Sequence, residues 1–371
     1  MSRDPIYVTR PFLPPLSQLV PLLEEIWERR WLTNNGPCHE RLQERLAGLF
    51  AVPHVSLMAN GMLALEAAID AAELTGEIVT TPYSFVATTH AIRRAQVTPV
   101  FADVLAGDLN IDPAAVERAI TPRTSAIVAV HCYGNPCDTQ ALQAIADAHR
   151  LTLIYDAAHA FGVTRDGRSI LGEGDYSTIS FHATKAFNTF EGGAVVTRSE
   201  ANRRAIDFQR NFGIADEVSV PHVGSNAKMS EFNAALGLLQ LDHFEESRRA
   251  RAAVDRRYRE RLEGVAGITC LPIPEGVEPN FSYFPILVGP GYGLSRDRLY
   301  ERLKADGIYA RRYFFPLLSN LPMYRELPSA DPANLPVANR AAEQILCLPI
   351  YPDLPEEDQE RVIAIVRDGA A

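Results

Sequence analysis

The pattern that most constrains the fold is an alternation of short apolar runs and helical segments between about residues 50 and 200. Several runs are almost continuously apolar, as expected for parallel strands that helices cover on both faces. The candidate strands are residues 55–58, 78–81, 98–101, 126–130, 151–155, 178–181 and 194–197. Helical patterns such as residues 62–72 and 140–150 separate them. The sequence therefore predicts an α/β domain with a mostly parallel sheet, whose ligand lies beyond the carboxyl ends of the strands.

A second pattern begins near residue 229, where a long helical segment extends to residue 265. It has an apolar stripe and densely charged other faces, which is typical of a solvated helix with local ion pairs. After a proline-rich break, a strand (283–288), a helix (295–306) and a closing helix (356–367) follow. These elements predict a smaller α+β domain. We assign residues 1–240 to the large domain with its N-terminal segment and residues 241–371 to the small domain with the linking helix.

The charge balance argues against several partners. Lys and Arg number 36 against 46 Asp and Glu, for a net charge of −10. An acidic chain without a basic run is a poor partner for nucleic acid. Residues 1–7 lack the apolar core of a secretory signal, and no run reaches the roughly 18 apolar residues of a membrane span. We therefore expect a cytoplasmic protein that does not use a membrane.

The five cysteines are odd in number and scattered, which fits reduced thiols. Cys132 and Cys137 with His131 raise the question of a metal site. No second pair of ligands follows them, so ordinary packing cysteines are the favoured interpretation and we expect no metal.

Lys185 and Asp156 indicate the chemistry. Lys185 lies among small and apolar residues, before a Gly-Gly turn, which is unusual for a solvated lysine. Asp156 ends the apolar run 151–155. A buried amine and a strand-end carboxylate are what pyridoxal 5′-phosphate (PLP) requires. The lysine forms the Schiff base, and the aspartate keeps the pyridine nitrogen protonated so that the ring accepts electrons. A structural lysine and a helix-capping or surface aspartate are the alternatives.

Other segments support a phosphate-bearing cofactor only weakly. Residues 60–62 follow a strand and open a helix, where free backbone N–H groups favour an anion. Phe85 lies just past a strand end and could stack on a flat ring, although a core phenylalanine is the commoner case. His159 and Ser180 could hydrogen-bond at the same edge. The nucleotide-binding G-x-x-x-x-G-K-[ST] motif and a G-x-G-x-x-G opening a helix after a strand are absent.

Together the motifs resemble those of the PLP-dependent sugar aminotransferases of the DegT/DnrJ/EryC1/StrS family, which have the aspartate aminotransferase fold (type I). The similarity extends nearly from end to end, and the motifs are specific as a set. They are residues 31–37, 60–61, 83–88, 131–134, 156–159, 180–193, 224–231 and 348–349.

The resemblance implies a role for each cofactor-binding residue. Lys185 forms the Schiff base and then shuttles the proton between the substrate carbon and the cofactor carbon. Asp156 pairs with the pyridinium nitrogen. His159 stands where the family usually has Gln and contacts the phenolic oxygen, with its tautomer open. Phe85 stacks on the ring.

The resemblance also implies a phosphate site and a homodimer. Ser180 and the helix start at Asn60, Gly61 and Met62 hold the phosphate. Met62 stands where the family often has Thr or Ser, so only its backbone is expected to bind. Asn226 reaches in from the partner subunit, which makes the enzyme a homodimer with shared active sites.

The flanking loops resemble most those of enzymes that aminate C4 of a nucleotide-linked 4-keto-6-deoxyglucose. Related sugar 3-dehydratases have His in place of this lysine, so Lys185 argues against a dehydratase. We expect glutamate as amino donor, a ping-pong reaction and a dTDP-linked sugar, with UDP and GDP left open. Plausible sugar contacts, each of which could equally be turn or core structure, are Thr33, Asn34, Asn35, His182, Asn188 and Tyr313.

Three alternatives remain at this point. The nearest is an aminotransferase that acts on a 3-keto sugar nucleotide. A second is a type I PLP enzyme that acts on an amino acid. The third is a PLP-free regulatory or binding protein, because a fold alone does not determine function.

Overall fold

A computed structural model describes residues 4–370 of the chain. Its helices are α1 (Leu16–Arg29), α2 (Pro37–Phe50), α3 (Gly61–Ala71), α4 (Ala87–Arg94), α5 (Pro113–Ala119), α6 (Thr139–His149), α7 (Glu200–Arg210), α8 (Glu231–Leu262), α9 (Arg296–Ala305), α10 (Pro336–Gln344) and α11 (Glu356–Asp368). Its strands are β1 (Ile6–Tyr7), β2 (His54–Met58), β3 (Glu77–Thr80), β4 (Thr98–Phe101), β5 (Thr124–Val130), β6 (Thr152–Asp156), β7 (Thr164–Arg165), β8 (Arg168–Ser169), β9 (Tyr176–Ser180), β10 (Gly193–Thr197), β11 (Ile268–Cys270), β12 (Val277–Glu278), β13 (Phe284–Val288), β14 (Ile308–Tyr309) and β15 (Ile345–Leu348).

The central sheet has seven strands in the order β2-β10-β9-β6-β5-β3-β4. The neighbours from β9 to β4 pair in parallel, whereas β10 pairs antiparallel with both β9 and β2. The predicted α/β fold with a mostly parallel sheet is therefore confirmed. Each of the seven predicted strands lies within two residues of an observed one at either end.

The apolar strands are explained by cores on both faces of this sheet. Ile78, Val128 and Ile154 belong to the core under α3 and α4, while their chain neighbours Val79, Ile127 and Leu153 belong to the core on the other face. Successive side chains of a strand point to opposite faces, so a strand covered twice must be apolar at every position.

The C-terminal elements form a second core around the antiparallel sheet β11-β13-β15. Helix α8 connects this small core to a core of the large domain, here called the large core, in which α1 and α2 pack against the central sheet. Ala234 packs with Leu42 in the large core, and Tyr258 packs in the small core. Strand β1 pairs with β14, so Ile6 also packs in the small core. The predicted boundary after residue 240 falls inside α8 and stays a prediction, and its end residues 1–3 and 371 lie outside the described residues.

Three further findings concern membrane-spanning helices, the cysteines and metal ligands. Across residues 4–370, no helix combines the length and the apolar character that a membrane crossing requires. The cysteines are free thiols. The backbone N–H of Cys137 donates to Nδ1 of His131 at 3.1 Å. In the same part of the chain, no group of three or more His, Cys, Asp or Glu residues is arranged to hold a metal ion.

Candidate active site

The candidate site lies at one edge of the central sheet. Asp156 is the last residue of β6 and Ser180 is the last residue of β9. These neighbouring strands run parallel, with Asp156 in register with Thr178. Their carboxyl ends therefore meet at the same edge, where the sequence predicts the ligand.

Asp156 is buried, and its carboxylate is held on both oxygens. Thr88 Oγ1 donates to Oδ2 at 2.7 Å, and the backbone N–H of Ala158 donates to Oδ1 at 3.1 Å. Burial raises the pKa of Asp156 above its usual value, while these two hydrogen bonds and the charge of Lys185 act in the opposite direction. A buried carboxylate of this kind gains most from a cationic partner, which would restore its charged form.

Lys185 follows β9 on the loop that leads to β10. The residue is partly exposed, yet its amine is densely surrounded by protein atoms, and burial lowers its pKa to about 8. Asp156 and Tyr313 oppose this shift. Lys185 Nζ donates to the hydroxyl of Tyr283 at 3.3 Å. An amine with this pKa is neutral in a much larger fraction of molecules near neutral pH than an ordinary lysine, and the neutral form is the nucleophile.

His159 lies three residues beyond Asp156 and is buried. Its Nδ1 accepts a hydrogen bond from the backbone N–H of Tyr133 at 3.3 Å. Burial, with the nearby charge of Lys185, keeps the pKa of His159 well below its usual value. A neutral imidazole whose Nδ1 is an acceptor carries its proton on Nε2. The tertiary structure thus assigns the tautomer that the sequence leaves open, and it makes Nε2–H a donor.

The start of α3 packs tightly against the end of β9. The side chain of Asn60 caps the helix, because its Oδ1 accepts from the N–H of Leu63 at 2.9 Å. A Cβ atom at Gly61 would lie 2.7 Å from Cβ of Ser180 and 3.1 Å from its Cα. Only glycine allows this approach, which places the first N–H groups of α3, at Gly61 and Met62, beside the Ser180 hydroxyl.

Phe85 precedes α4 and is 57% exposed, although its neighbours Tyr83 and Ser84 are buried. Phe85 is therefore not a buried core residue, which was the alternative to stacking on a flat ring. Ser84 and Thr88 share a hydrogen bond of 2.8 Å between their hydroxyls. The segment is thus connected through Thr88 to Asp156.

The six predicted sugar contacts fall into two groups. Tyr313 lines a cavity with Tyr283 and Thr184, next to Lys185. His182 is exposed, and its Nδ1 is 2.8 Å from Thr184 Oγ1. Asn188 is buried, and both ends of its amide bind backbone groups, of Phe12 and of Phe190. His182 and Asn188 therefore lie on the loop of Lys185, and Tyr313 shares its cavity with Tyr283, the hydrogen-bond partner of Lys185.

The second group lies around a different cavity. Asn34 and Asn35 are exposed, have left-handed backbones with φ of 60° and 58°, and line this cavity with Arg210 and Lys228. Thr33 precedes them, and its carbonyl accepts from Trp31 Nε1 at 2.6 Å. Asn226, the predicted partner-subunit residue, is also exposed, and it accepts from Lys228 Nζ at 3.0 Å. The lining of this cavity includes none of Lys185, Asp156 or Tyr283.

Three residues that hydrogen-bond to Asp156, Lys185 or His159 were not identified from the sequence. Thr88 ends the recognised motif 83–88, but nothing in its spacing indicated a bond to a residue 68 positions later. Tyr283 begins a predicted strand, and 98 positions separate it from Lys185. The contribution of Tyr133 is a backbone N–H, which leaves no trace in the side-chain pattern.

The chemistry of this set fits PLP. It combines an amine of lowered pKa, a buried carboxylate, a neutral imidazole donor and a helix start where a Cβ has no room. Lys185, Asp156, His159, Ser180 and residues 60–62 would hold the cofactor.

Comparison with known proteins adds independent evidence. Residues 17–367 match the model of the DegT/DnrJ/EryC1/StrS aminotransferase family. The chain is 49% identical over 358 residues to the dTDP-4-amino-4,6-dideoxy-D-glucose transaminase of Escherichia coli, covering 96% of each chain. It is 48% identical over 365 residues to the Shigella dysenteriae protein of the same name, covering 98% of this chain and 99% of the other.

Solved structures agree with the fold. DesI, crystallised with its TDP-sugar product, has a TM-score of 0.95 at 39% identity, over 99% of this chain and 93% of the other. Helicobacter pylori PseC, an aminotransferase of pseudoaminic acid biosynthesis, has a TM-score of 0.91 at 26% identity, over 99% of both chains. These similarities confirm the predicted fold, and the chain is an aminotransferase. It belongs to the DegT/DnrJ/EryC1/StrS aminotransferase family.

Proposed function

We propose that this chain uses PLP to move an amino group from L-glutamate to the C4 ketone of dTDP-4-dehydro-6-deoxy-D-glucose, giving dTDP-4-amino-4,6-dideoxy-D-glucose. The observation that carries the proposal is the meeting of the Lys185 amine and the Asp156 carboxylate at one sheet edge, beside the tight start of α3. The substrate is supported by the names of two relatives at 48–49% identity and by the TDP-sugar product in DesI.

Each residue has a part in this chemistry. PLP, when bound, supplies an electron sink for the carbon that loses or gains a proton. Asp156 would hold the positive charge on the ring nitrogen, and Nε2–H of His159 would donate to the phenolic oxygen. The N–H groups at the start of α3 and the Ser180 hydroxyl would bind the phosphate. The Lys185 amine would take the proton from the donor's α-carbon and return it to the cofactor carbon, which is bonded to the same nitrogen.

We further propose a homodimer in which each subunit completes the other's site with Asn226. The segment 212–223 supports this, because it exposes Phe212, Ile214, Val218, Val220 and Val223. Monomeric proteins rarely expose so much apolar side chain on one segment. Asn226 follows this segment and is itself exposed. A second chain would cover the segment and bring Asn226 to a phosphate.

The substrate is tested by incubating the purified protein with PLP, glutamate and dTDP-4-dehydro-6-deoxy-D-glucose. Mass spectrometry should detect an amino sugar nucleotide, and NMR should place the new nitrogen on C4 and give its configuration. UDP- and GDP-linked sugars and a 3-keto isomer serve as comparisons. Absence of product from the 4-keto sugar, with turnover of the 3-keto isomer, would overturn the C4 assignment.

A further inference from the structure

Tyr283 contacts the reacting amine from outside the central sheet. It lies one residue before β13, and its hydroxyl is 3.3 Å from Lys185 Nζ. Within residues 4–370, this is the one side-chain hydrogen bond that the structure gives to that amine. The charge of Asp156 raises the pKa of this amine, but the Asp156 carboxylate makes its hydrogen bonds with Thr88 and Ala158.

The phenol ring of Tyr283 is held on several sides. It packs edge-on against His159, with ring centres 4.9 Å apart, and against Tyr313 at 5.9 Å. Its ring centre is 5.7 Å from that of Tyr133. Such edge contacts restrict a ring to one orientation. The direction of the Tyr283 hydroxyl is therefore set by the same residues that surround the candidate site.

The backbone before Tyr283 is tied to the loop that carries His159. Asn280 is buried, and its Nδ2 donates to the carbonyls of His159 and Phe161 at 2.8 and 2.9 Å. Its Oδ1 accepts from the N–H of Ser282 at 3.1 Å. A single amide thus joins the strand of the small core to the strand-end loop of the large one. Tyr283 is placed by this connection rather than by a flexible loop.

The hydroxyl can serve both protonation states of the amine. Burial raises the pKa of Tyr283, so the phenol stays neutral. A neutral hydroxyl accepts a hydrogen bond from an ammonium and donates one to an uncharged amine. The amine changes between these two states each time it takes up or releases a proton.

We propose that Tyr283 is a positioning residue that holds the free amine of Lys185 in place while that amine transfers the proton. The proposal rests on the function proposed above. It assigns no bond-making to Tyr283: the proton would move from the donor's α-carbon to Lys185 Nζ and from there to the cofactor carbon bonded to the same nitrogen, while the phenol keeps its own proton.

Tyr283→Phe tests this, because it removes the hydroxyl and keeps the ring contacts. Tyr258→Phe is the matched control, since Tyr258 is a fully buried phenol of the small core that donates to the carbonyl of Pro349 at 2.9 Å. In single-turnover reactions with glutamate, Tyr283→Phe should be slower by roughly ten- to hundredfold, with the glutamate concentration for half-saturation nearly unchanged. The isotope effect with α-deuterated glutamate should increase, because proton transfer becomes more rate-limiting.

A second measurement needs no turnover. The chain has three lysines, Lys185, Lys228 and Lys304, so acetic anhydride labelling followed by mass spectrometry resolves each one. In PLP-stripped protein, loss of the charge-assisted bond to the ammonium should move the labelling midpoint of Lys185 to lower pH by about half to one unit. Lys228 and Lys304 are internal references and should not change.

Each result decides the proposal. A slower rate with unchanged isotope effect and unchanged labelling midpoint would reduce Tyr283 to a structural residue and overturn the proposal. The proposal would also be overturned if Tyr283→Phe and Tyr258→Phe had the same rate, isotope effect and labelling midpoint. If wild-type protein fails to react with glutamate, the proposed function fails, and the labelling midpoint still decides whether Tyr283 controls the amine.

Discussion

Two regions of the molecule have equally recognisable motifs and differ in how the tertiary structure supports them. The inner set, Asp156, His159, Ser180 and Lys185, lies at or just beyond the ends of β6 and β9. The outer loops, residues 31–36 and 212–228, are mostly exposed and lie around a separate cavity. The inner set is assembled by one chain. The outer loops have a defined backbone, but the cavity that they line includes no residue of the inner set.

The difference follows from what supports each region. Strand ends inherit their positions from a sheet that is buried on both faces, so the side chains after them are held by the core. An exposed loop with apolar side chains gains its stabilisation only when another surface covers it. Substitutions should therefore act differently: those in the inner set on chemistry within a subunit, those in the outer loops through a partner.

The largest effect is expected for Lys185→Ala. Turnover should fall by roughly 10⁴-fold or more, because both the nucleophile and the proton carrier are lost. Wild-type protein treated with PLP should show a visible absorbance band that borohydride abolishes. Lys185→Ala should lack this band. Lys304→Ala, an exposed lysine of α9, is the control and should keep both. A colourless wild-type protein that ignores added PLP would contradict the enzyme interpretation of the inner set.

Asp156→Ala should follow, with turnover lowered by roughly 10²- to 10⁴-fold, since an unprotonated pyridine ring is a poor electron sink. The measurement is the steady-state rate at saturating PLP. Asp175→Ala is a matched control at the opposite end of the strands, where the Asp175 carboxylate accepts from the N–H of Leu153 at 2.9 Å. Asp175→Ala should lower the stability of the fold and leave the turnover rate nearly unchanged. Near-normal turnover of Asp156→Ala would refute the role of this carboxylate.

Asn226→Ala should weaken PLP binding by roughly ten- to hundredfold, the cost of one hydrogen bond to a charged phosphate. Mixed dimers sharpen the comparison of the two regions. A Lys185→Ala chain paired with an Asn226→Ala chain should regain one intact site and about half of the wild-type activity. If Asn226 served its own subunit, both sites of the mixed dimer would stay defective, and the shared-site proposal would be wrong.

The smallest effect is expected for Thr88→Val, which removes one hydrogen bond to Asp156. That bond lowers the pKa of Asp156 against the opposing effect of burial. Its loss raises this pKa further, so Asp156 becomes protonated at higher pH and the acid limb of the pH–rate profile should move upward. The neighbouring Thr89→Val, whose hydroxyl bonds the Val86 carbonyl at 3.3 Å, should leave the profile unchanged.

The sheet was predictable because its signal is local. A strand buried on both faces must be apolar at successive positions, and β3, β5 and β6 show this directly in the sequence. The antiparallel direction of β10 was not predictable in this way, since an apolar run carries no direction. The helices α1 and α2 were also not assigned, although α2 begins with Pro37, a residue favoured at a helix start.

Within the site, the residues that bear charge were predictable and those that orient them were not. Lys185 and Asp156 stood out because a charged residue beside an apolar run has few structural uses. Thr88 and Tyr283 are ordinary residue types in ordinary elements, and only the packing of α4 and β13 brings them to the site. The second cavity, with Asn34, Asn35 and Lys228, became separate from Lys185 only in three dimensions.

The sequence alone determined the α/β architecture, the proposal of Lys185 and Asp156 as the residues that carry the chemistry, and the resemblance to the family. These depend on local periodicity and on motifs contiguous in the chain. The tertiary structure decided the protonated nitrogen of His159, the lowered pKa of Lys185 and its contact with Tyr283. Those properties depend on burial and on hydrogen bonds between residues distant in sequence, and both exist only once the two cores have packed together.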